Sequence, residues 1–251
     1  MLAIVIRLLG YRKETERVKK KGLRILAAAA VLTFGCLTMN AYAAEGWALS
    51  NNIWTYLDKN GNRVTNEWKK GADNLWRYLN NSGEMAVNSW ADNDYYVDSN
   101  GIMVADKWMK IASPYSRDSQ TYWFYFGASG KVTKDTWKKI DGKSYYFDSD
   151  GIMQTGWTED GDYYLSSSGA MVTGWRYLEP KDEDSSLYGT ESDDGKYWFY
   201  FSASGKKQSP STSDDGGEYK VTKIDGKYYC FDADGRMRTG WVYLEGDPEN
   251  S

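Results

Sequence analysis

Polar and apolar positions alternate in short bursts along this chain, and one stretch shows the pattern whole. From Tyr145 to Trp157 it reads YYFDSDGIMQTGW. The run Tyr145-Tyr146-Phe147 predicts an extended strand. Asp148-Ser149-Asp150-Gly151 supplies turn chemistry, with the glycine free to take positive φ. Ile152, Met153 and Gln154 predict a return strand, and Thr155-Gly156 turn the chain into Trp157. The unit is therefore expected to be a β-hairpin formed by the tyrosine strand and the return strand about a tip glycine. Its thirteen residues cannot bury so many rings alone, so the unit must stack on copies of itself.

The copies are present. The tip glycine recurs at Gly61, Gly83, Gly101, Gly130, Gly151, Gly169, Gly205 and Gly235. Five residues earlier stand Tyr56, Tyr78, Tyr96, Tyr125, Tyr146, Tyr164, Tyr200 and, as the exception, Cys230. The residue four before is always apolar, from Leu57 to Phe231. A tryptophan closes seven of the eight units, at Trp68, Trp90, Trp108, Trp137, Trp157, Trp175 and Trp241. A period near 20 residues marks a repeat array and takes precedence over other fold reasoning. A longer repeat is nested within it: WFYFGASGK at Trp123 reappears as WFYFSASGK at Trp198, and KIDGKSYYFDSDGIMQTGW at Lys139 as KIDGKYYCFDADGRMRTGW at Lys223. No stretch after residue 43 has a helical period. The fold class expected is all-β, a solenoid of stacked β-hairpin repeats.

The first residues break this pattern. Residues 1–43 carry a basic run from Arg12 to Arg24, an apolar segment from Ile25 to Met39 and the small-x-small site Ala41-Tyr42-Ala43, which together predict a signal peptide and export. Four segments follow: 1–43 as the signal, 44–108 with hairpins one to three, 109–175 with hairpins four to six, and 176–251 with hairpins seven and eight, acidic inserts and an incomplete last unit. The chain has 31 basic and 35 acidic residues, of which the signal holds 8 and 2. The remainder, with 23 and 33, has a net charge of −10. That balance argues against nucleic acid and, once the signal is cleaved, against an anionic membrane.

Composition narrows the chemistry. Histidine is absent, which removes the commonest general base and metal ligand. DSDG at Asp148 and DADG at Asp232 resemble part of a calcium loop, but the spaced first ligand and the terminal glutamate are missing, so a turn accounts for both. The acids cluster in tips and inserts, and no non-repeat segment is long enough for a catalytic domain. No enzyme activity, cofactor or metal is expected. The 12 tryptophans and 21 tyrosines carry the functional signal instead.

Over Trp54 to Trp241 the units resemble the choline-binding, or cell-wall-binding, repeats of Gram-positive surface proteins: GW, a spacer, WYY, an apolar residue, a polar tip with glycine, then Met and the next GW. They are similar also to repeats of glucan-binding proteins and large glucosylating toxins. The resemblance implies hairpins stacked as a left-handed β-solenoid, with each choline held between consecutive hairpins in a cage of aromatics. A quaternary ammonium donates no hydrogen bond, so such a site needs only π faces and desolvation.

Strand alternation places residues seven and five before the tip glycine on one face, and six and four on the other. Joined with the closing tryptophan, the first face yields three complete sets: Trp68 with Trp76 and Tyr78, Trp108 with Trp123 and Tyr125, and Trp175 with Trp198 and Tyr200. Met85, two after its glycine, is expected to line the first set, and Lys207 stands at that place in the third. Incomplete sets are Trp90 with Tyr96, Trp137 with Tyr146, and Trp157 with Tyr164, where Asp94, Ser144 and Asp162 replace the leading tryptophan. Residues six and four before the glycine are assigned to packing. The function expected is a secreted, non-catalytic protein held noncovalently at the cell surface by choline-substituted teichoic acid or another cell-wall glycan. A glucan-binding module and the targeting fragment of a wall hydrolase are the alternatives.

Overall fold

A computed structural model of the chain describes residues 45–115, 120–181, 194–210 and 219–241. The predicted signal peptide, parts of the acidic inserts and the expected incomplete last unit lie outside the described residues. The chain divides into two compact units, one ending at Val104 and the other beginning at Ala105. All regular elements among the described residues are strands, paired into eight antiparallel hairpins.

The first unit holds β1 (Gly46–Ser50) with β2 (Ile53–Leu57), β3 (Glu67–Lys70) with β4 (Trp76–Leu79), and β5 (Ser89–Ala91) with β6 (Tyr95–Val97). The second holds β7 (Lys107–Ala112) with β8 (Thr121–Phe126), β9 (Thr136–Ile140) with β10 (Lys143–Phe147), and β11 (Gly156–Trp157) with β12 (Tyr164–Leu165). It continues with β13 (Gly174–Leu178) and β14 (Tyr197–Phe201), then β15 (Tyr219–Ile224), β16 (Lys227–Asp232) and a short third strand, β17 (Met237–Arg238).

The pairing differs from the hairpin expected. In the second to seventh hairpins the tyrosine strand pairs with the strand carrying the preceding closing tryptophan, as Tyr146 lies opposite Trp137 and Tyr125 opposite Trp108; in the eighth, Cys230 lies opposite Val221. The hairpin turn is thus Asp141-Gly142, not Asp148–Gly151. Both Asp141 and Gly142 have positive φ, 48° and 81°, as a two-residue turn matched to strand twist requires. The Asp148–Gly151 stretch is a tight second turn. Gly151 donates to the Asp148 carbonyl at 2.9 Å, and the Asp148 carboxylate accepts the amides of Asp150 and Ile152 at 3.0 and 2.9 Å. The return segment meets its own tyrosine strand through a single bridge, Phe147 to Met153, and one bond from the Gln154 amide to the Tyr146 carbonyl.

The reason is that the return segment is shared between hairpins. Its outer edge donates to the preceding one: Met153 to the Trp123 carbonyl at 2.9 Å, Met171 to Ser144 at 2.8 Å, Lys207 to Asp162 at 2.8 Å, and in the first unit Met85 to Trp54 and Met103 to Trp76. Every one of these carbonyls belongs to the residue seven before a tip glycine.

Side chains complete the stack. Leu79, Val97, Phe126, Phe147, Leu165, Phe201 and Phe231, all four before a tip glycine, are completely buried. Each contributes about 1.5–3 kcal/mol of apolar burial. Several tip glycines lie tight against the preceding hairpin. A Cβ on Gly169, at φ 80°, would lie 2.3 Å from the Met153 sulfur.

Candidate functional site

Full strand pairing puts the three complete sets each on one face of one hairpin. Trp68 is opposite Tyr78 and Trp76 opposite Lys70, so all four project together. Trp108 and Tyr125, and Trp123 with Lys110, repeat this on β7 and β8; Trp175 and Tyr200, and Trp198 with Tyr177, repeat it on β13 and β14. Ring centroids of the closing tryptophan and the tyrosine are 5.1, 5.2 and 5.1 Å apart in the three sets. Trp108 to Trp123 and Trp175 to Trp198 are edge-on at 6.3 and 6.4 Å.

Burial is graded across each set. Tyr78 and Tyr125 form a buried floor and the closing tryptophans are half-buried. Trp76, Trp123 and Trp198 stand as outer walls with 40, 43 and 45% of their surface in water. The floor phenols are held neutral. The Tyr125 hydroxyl donates to Asp106 at 2.6 Å, and that bond, with burial second, pushes its pKa up to about 12. Burial, followed by a bond to Asp92 at 2.9 Å, raises that of Tyr78.

Stacking adds a ring that sequence reasoning assigned only to packing. Trp68 meets Tyr95 at 5.5 Å, Trp108 meets Tyr145 at 4.9 Å, and Trp175 meets Tyr229 at 4.8 Å, each tyrosine standing six before the tip glycine of the following hairpin. A further set was missed altogether: Trp47 lies opposite Tyr56, with Trp54 on the same face. Gly46-Trp47 and a tryptophan seven before Gly61 were its signal. Facing it, β3 and β4 carry Lys69, whose Nζ is 5.1 Å from the Tyr56 ring, and Arg77, paired to Asp73 at 2.7 Å.

The methionine belongs one junction earlier than expected. Met85 bonds the Trp54 backbone, and its thioether packs where Gly101 lacks a Cβ. Met103 and Met153 are the residues bonded to the backbones of Trp76 and Trp123. Likewise Lys207 lies not in the Trp198 set but over Trp157, with Nζ 5.3 Å from the ring centroid. Lys70 lies over Trp76 at 4.9 Å and Lys138 over Tyr125 at 5.5 Å. With Lys69 over Tyr56, four ammonium groups thus lie against rings of these sets.

The incomplete sets also come together as pairs: Trp90 with Tyr96 at 5.7 Å, Trp137 with Tyr146 at 5.3 Å, and Trp157 with Tyr164 at 5.2 Å. Trp137 additionally meets Tyr163 at 5.0 Å, and an open groove of about 380 Å³ there is lined by these rings with Thr158, Glu159 and Asp160. Among the described residues no cluster of His, Cys, Asp and Glu could hold a metal ion.

The family model of the choline-binding repeat matches residues 44–90 and 133–174. No curated protein matches the chain. Among solved structures, the choline-binding domain of CbpL from Streptococcus pneumoniae is similar at 26% identity over 80% of this chain and 100% of that one, with a TM-score of 0.46. The modular autolysin LytC of the same organism is similar at 24% identity over 77% of this chain, with a TM-score of 0.45. The match spans 46% of the autolysin, about half its length. Choline-binding protein F of S. pneumoniae is similar at 25% identity, over 79% of this chain and 53% of that one, with a TM-score of 0.39.

Proposed function

We propose that this chain, which carries choline-binding repeats, attaches noncovalently to choline-bearing polymers of the cell wall through the aromatic sets at its hairpin junctions, without catalysis. One observation carries the reading. In each of three sets, two tryptophans and a floor tyrosine from one hairpin share a face, and the closing tryptophan meets a tyrosine of the next. A trimethylammonium group offers no hydrogen-bond donor, and rings of this kind supply about 0.5–2 kcal/mol each to a cation over them. Single sites are then weak. Several on one chain bind a polymer firmly, because after the first contact the others act at high effective concentration.

The reading includes export by the 1–43 segment and a location at the surface of a Gram-positive-type bacterium, on choline-substituted teichoic acid. A second reading has its own support. At Trp137 the leading tryptophan is replaced by Ser144, and the rings share an open groove with Thr158, Glu159 and Asp160, which suits stacking and hydrogen bonding of a sugar.

Titrating choline and, in parallel, a glucan oligomer while following tryptophan fluorescence tests both. A saturable response to choline in the millimolar range is expected. A response to the glucan alone would transfer the protein to the sugar-binding reading, and silence to both would leave the rings as packing.

A further inference from the structure

Within the two units the return segment donates to the preceding hairpin from Met85, Met103, Met153 and Met171, opposite Trp54, Trp76, Trp123 and Ser144; the junction between the sixth and seventh hairpins departs from these four at both places. Its leading residue is Asp162 where four sets have tryptophan, and the residue bonded to that backbone is Lys207 where Met85, Met103, Met153 and Met171 stand elsewhere. The two changes meet at one point: the Lys207 amide donates to the Asp162 carbonyl at 2.8 Å.

We propose that this junction is closed to free ligand by a tethered one, the Lys207 ammonium occupying the place over Trp157 that a quaternary ammonium takes at the complete sets. The inference rests on the choline reading and decides which junctions serve it. Lys207 is fixed along its length. Its Cγ and Cδ pack where Gly235 of the eighth hairpin lacks a Cβ, since a Cβ there would lie 2.9 and 2.8 Å from them. Its Nζ reaches back to 5.3 Å from the Trp157 centroid. Trp157 is itself immobilised, by Phe199 at 4.9 Å, Tyr164 at 5.2 Å and a bond from its Nε1 to the Glu179 carbonyl at 2.9 Å.

The charge is balanced locally as well. Asp162 pairs with Lys206 at 3.1 Å, and burial lowers the pKa of Lys207 while Asp234, Asp162 and Asp232 oppose that shift. Lysines elsewhere close less. Lys70 is exposed and approaches only the outer wall Trp76, and Lys138 addresses the floor Tyr125 rather than either tryptophan of its set. A rigidly held ammonium acts at an effective concentration that a free one must exceed, so weak external binding is suppressed there.

The test uses the whole protein labelled with 5-fluorotryptophan, with the Trp157 fluorine resonance assigned by Trp157→Phe. On adding choline, resonances of Trp108 and Trp123 are expected to move while that of Trp157 stays. In Lys207→Met the Trp157 resonance is expected to respond, and in Lys207→Arg to stay fixed. A Trp157 shift with choline in the unaltered protein overturns the inference directly, whatever the folding of the variants. A silent Trp157 in both Lys207→Met and Lys207→Gln, with other tryptophans still responding, also overturns it and leaves wall attachment intact. If no tryptophan responds in any of these proteins, the choline reading fails and the inference with it.

Discussion

Trp123→Leu separates a ring that recognises ligand from one that only packs. Trp123 leaves 43% of its surface in water, and its backbone carbonyl holds the Met153 amide whatever the side chain. A fully buried tryptophan contributes roughly 150–250 Å², so about half of that is at stake here. Leucine restores most of the apolar area, and at about 25 cal/mol per Å² the loss of stability is on the order of 1 kcal/mol. What leucine cannot restore is the π face. Removing one ring from a cation site costs about 0.5–2 kcal/mol, a weakening of roughly 2- to 30-fold. Calorimetric titration with monovalent choline is the suitable assay, because it reads single sites without the avidity of a polymer. One class of sites should weaken by that factor, Trp123→Phe should recover part of it, and the thermal midpoint should move by only a few degrees. An unchanged isotherm with a strongly lowered midpoint would refute the reasoning and make Trp123 a packing residue.

Phe147, completely buried beneath Trp108, gives the opposite profile: Phe147→Ala should cost about 3–5 kcal/mol in a urea titration, through lost burial and the cavity left behind. Gly142 and Gly151 have nearly equal φ, 81° and 82°, but only Gly151 faces backbone, the Thr133 carbonyl 3.1 Å from a would-be Cβ. Gly142→Ala should therefore cost only the left-handed backbone term of about 1–2 kcal/mol, and Gly151→Ala clearly more, as denaturation midpoints will show. Tyr125 holds its proton in the fold up to about pH 12, whereas an unfolded tyrosine loses it near 10. Its contribution is complete below pH 10 and lost between 10 and 12. Tyr125→Phe should flatten the alkaline fall in stability and remove the last step from the tyrosine absorbance titration.

How much of this is legible from residues alone follows from how far each relation reaches along the chain. Alternation within a strand is local, so the shared face of Trp123 and Tyr125 follows from spacing two apart, and the period of tip glycines counts the eight hairpins. Recurrence of an apolar residue four before each glycine marks the buried row from Leu79 to Phe231 in the same way, with Leu57 of the first hairpin half-buried. Pairing is another matter. A tyrosine strand such as Tyr145–Phe147 is flanked by two competent turns, Asp141-Gly142 and Asp148–Gly151, and nothing local chooses between them. The tertiary structure resolves it because the return segment must also donate to the preceding hairpin, which leaves the two-residue turn to carry the full ladder. Contacts between hairpins lie further beyond local reach. Tyr145 on Trp108, Met153 on the Trp123 backbone and Lys207 over Trp157 join residues 30 to 50 positions apart. Their meeting depends on how one pleated face seats on the next, a packing relation that spacing along a single strand does not encode.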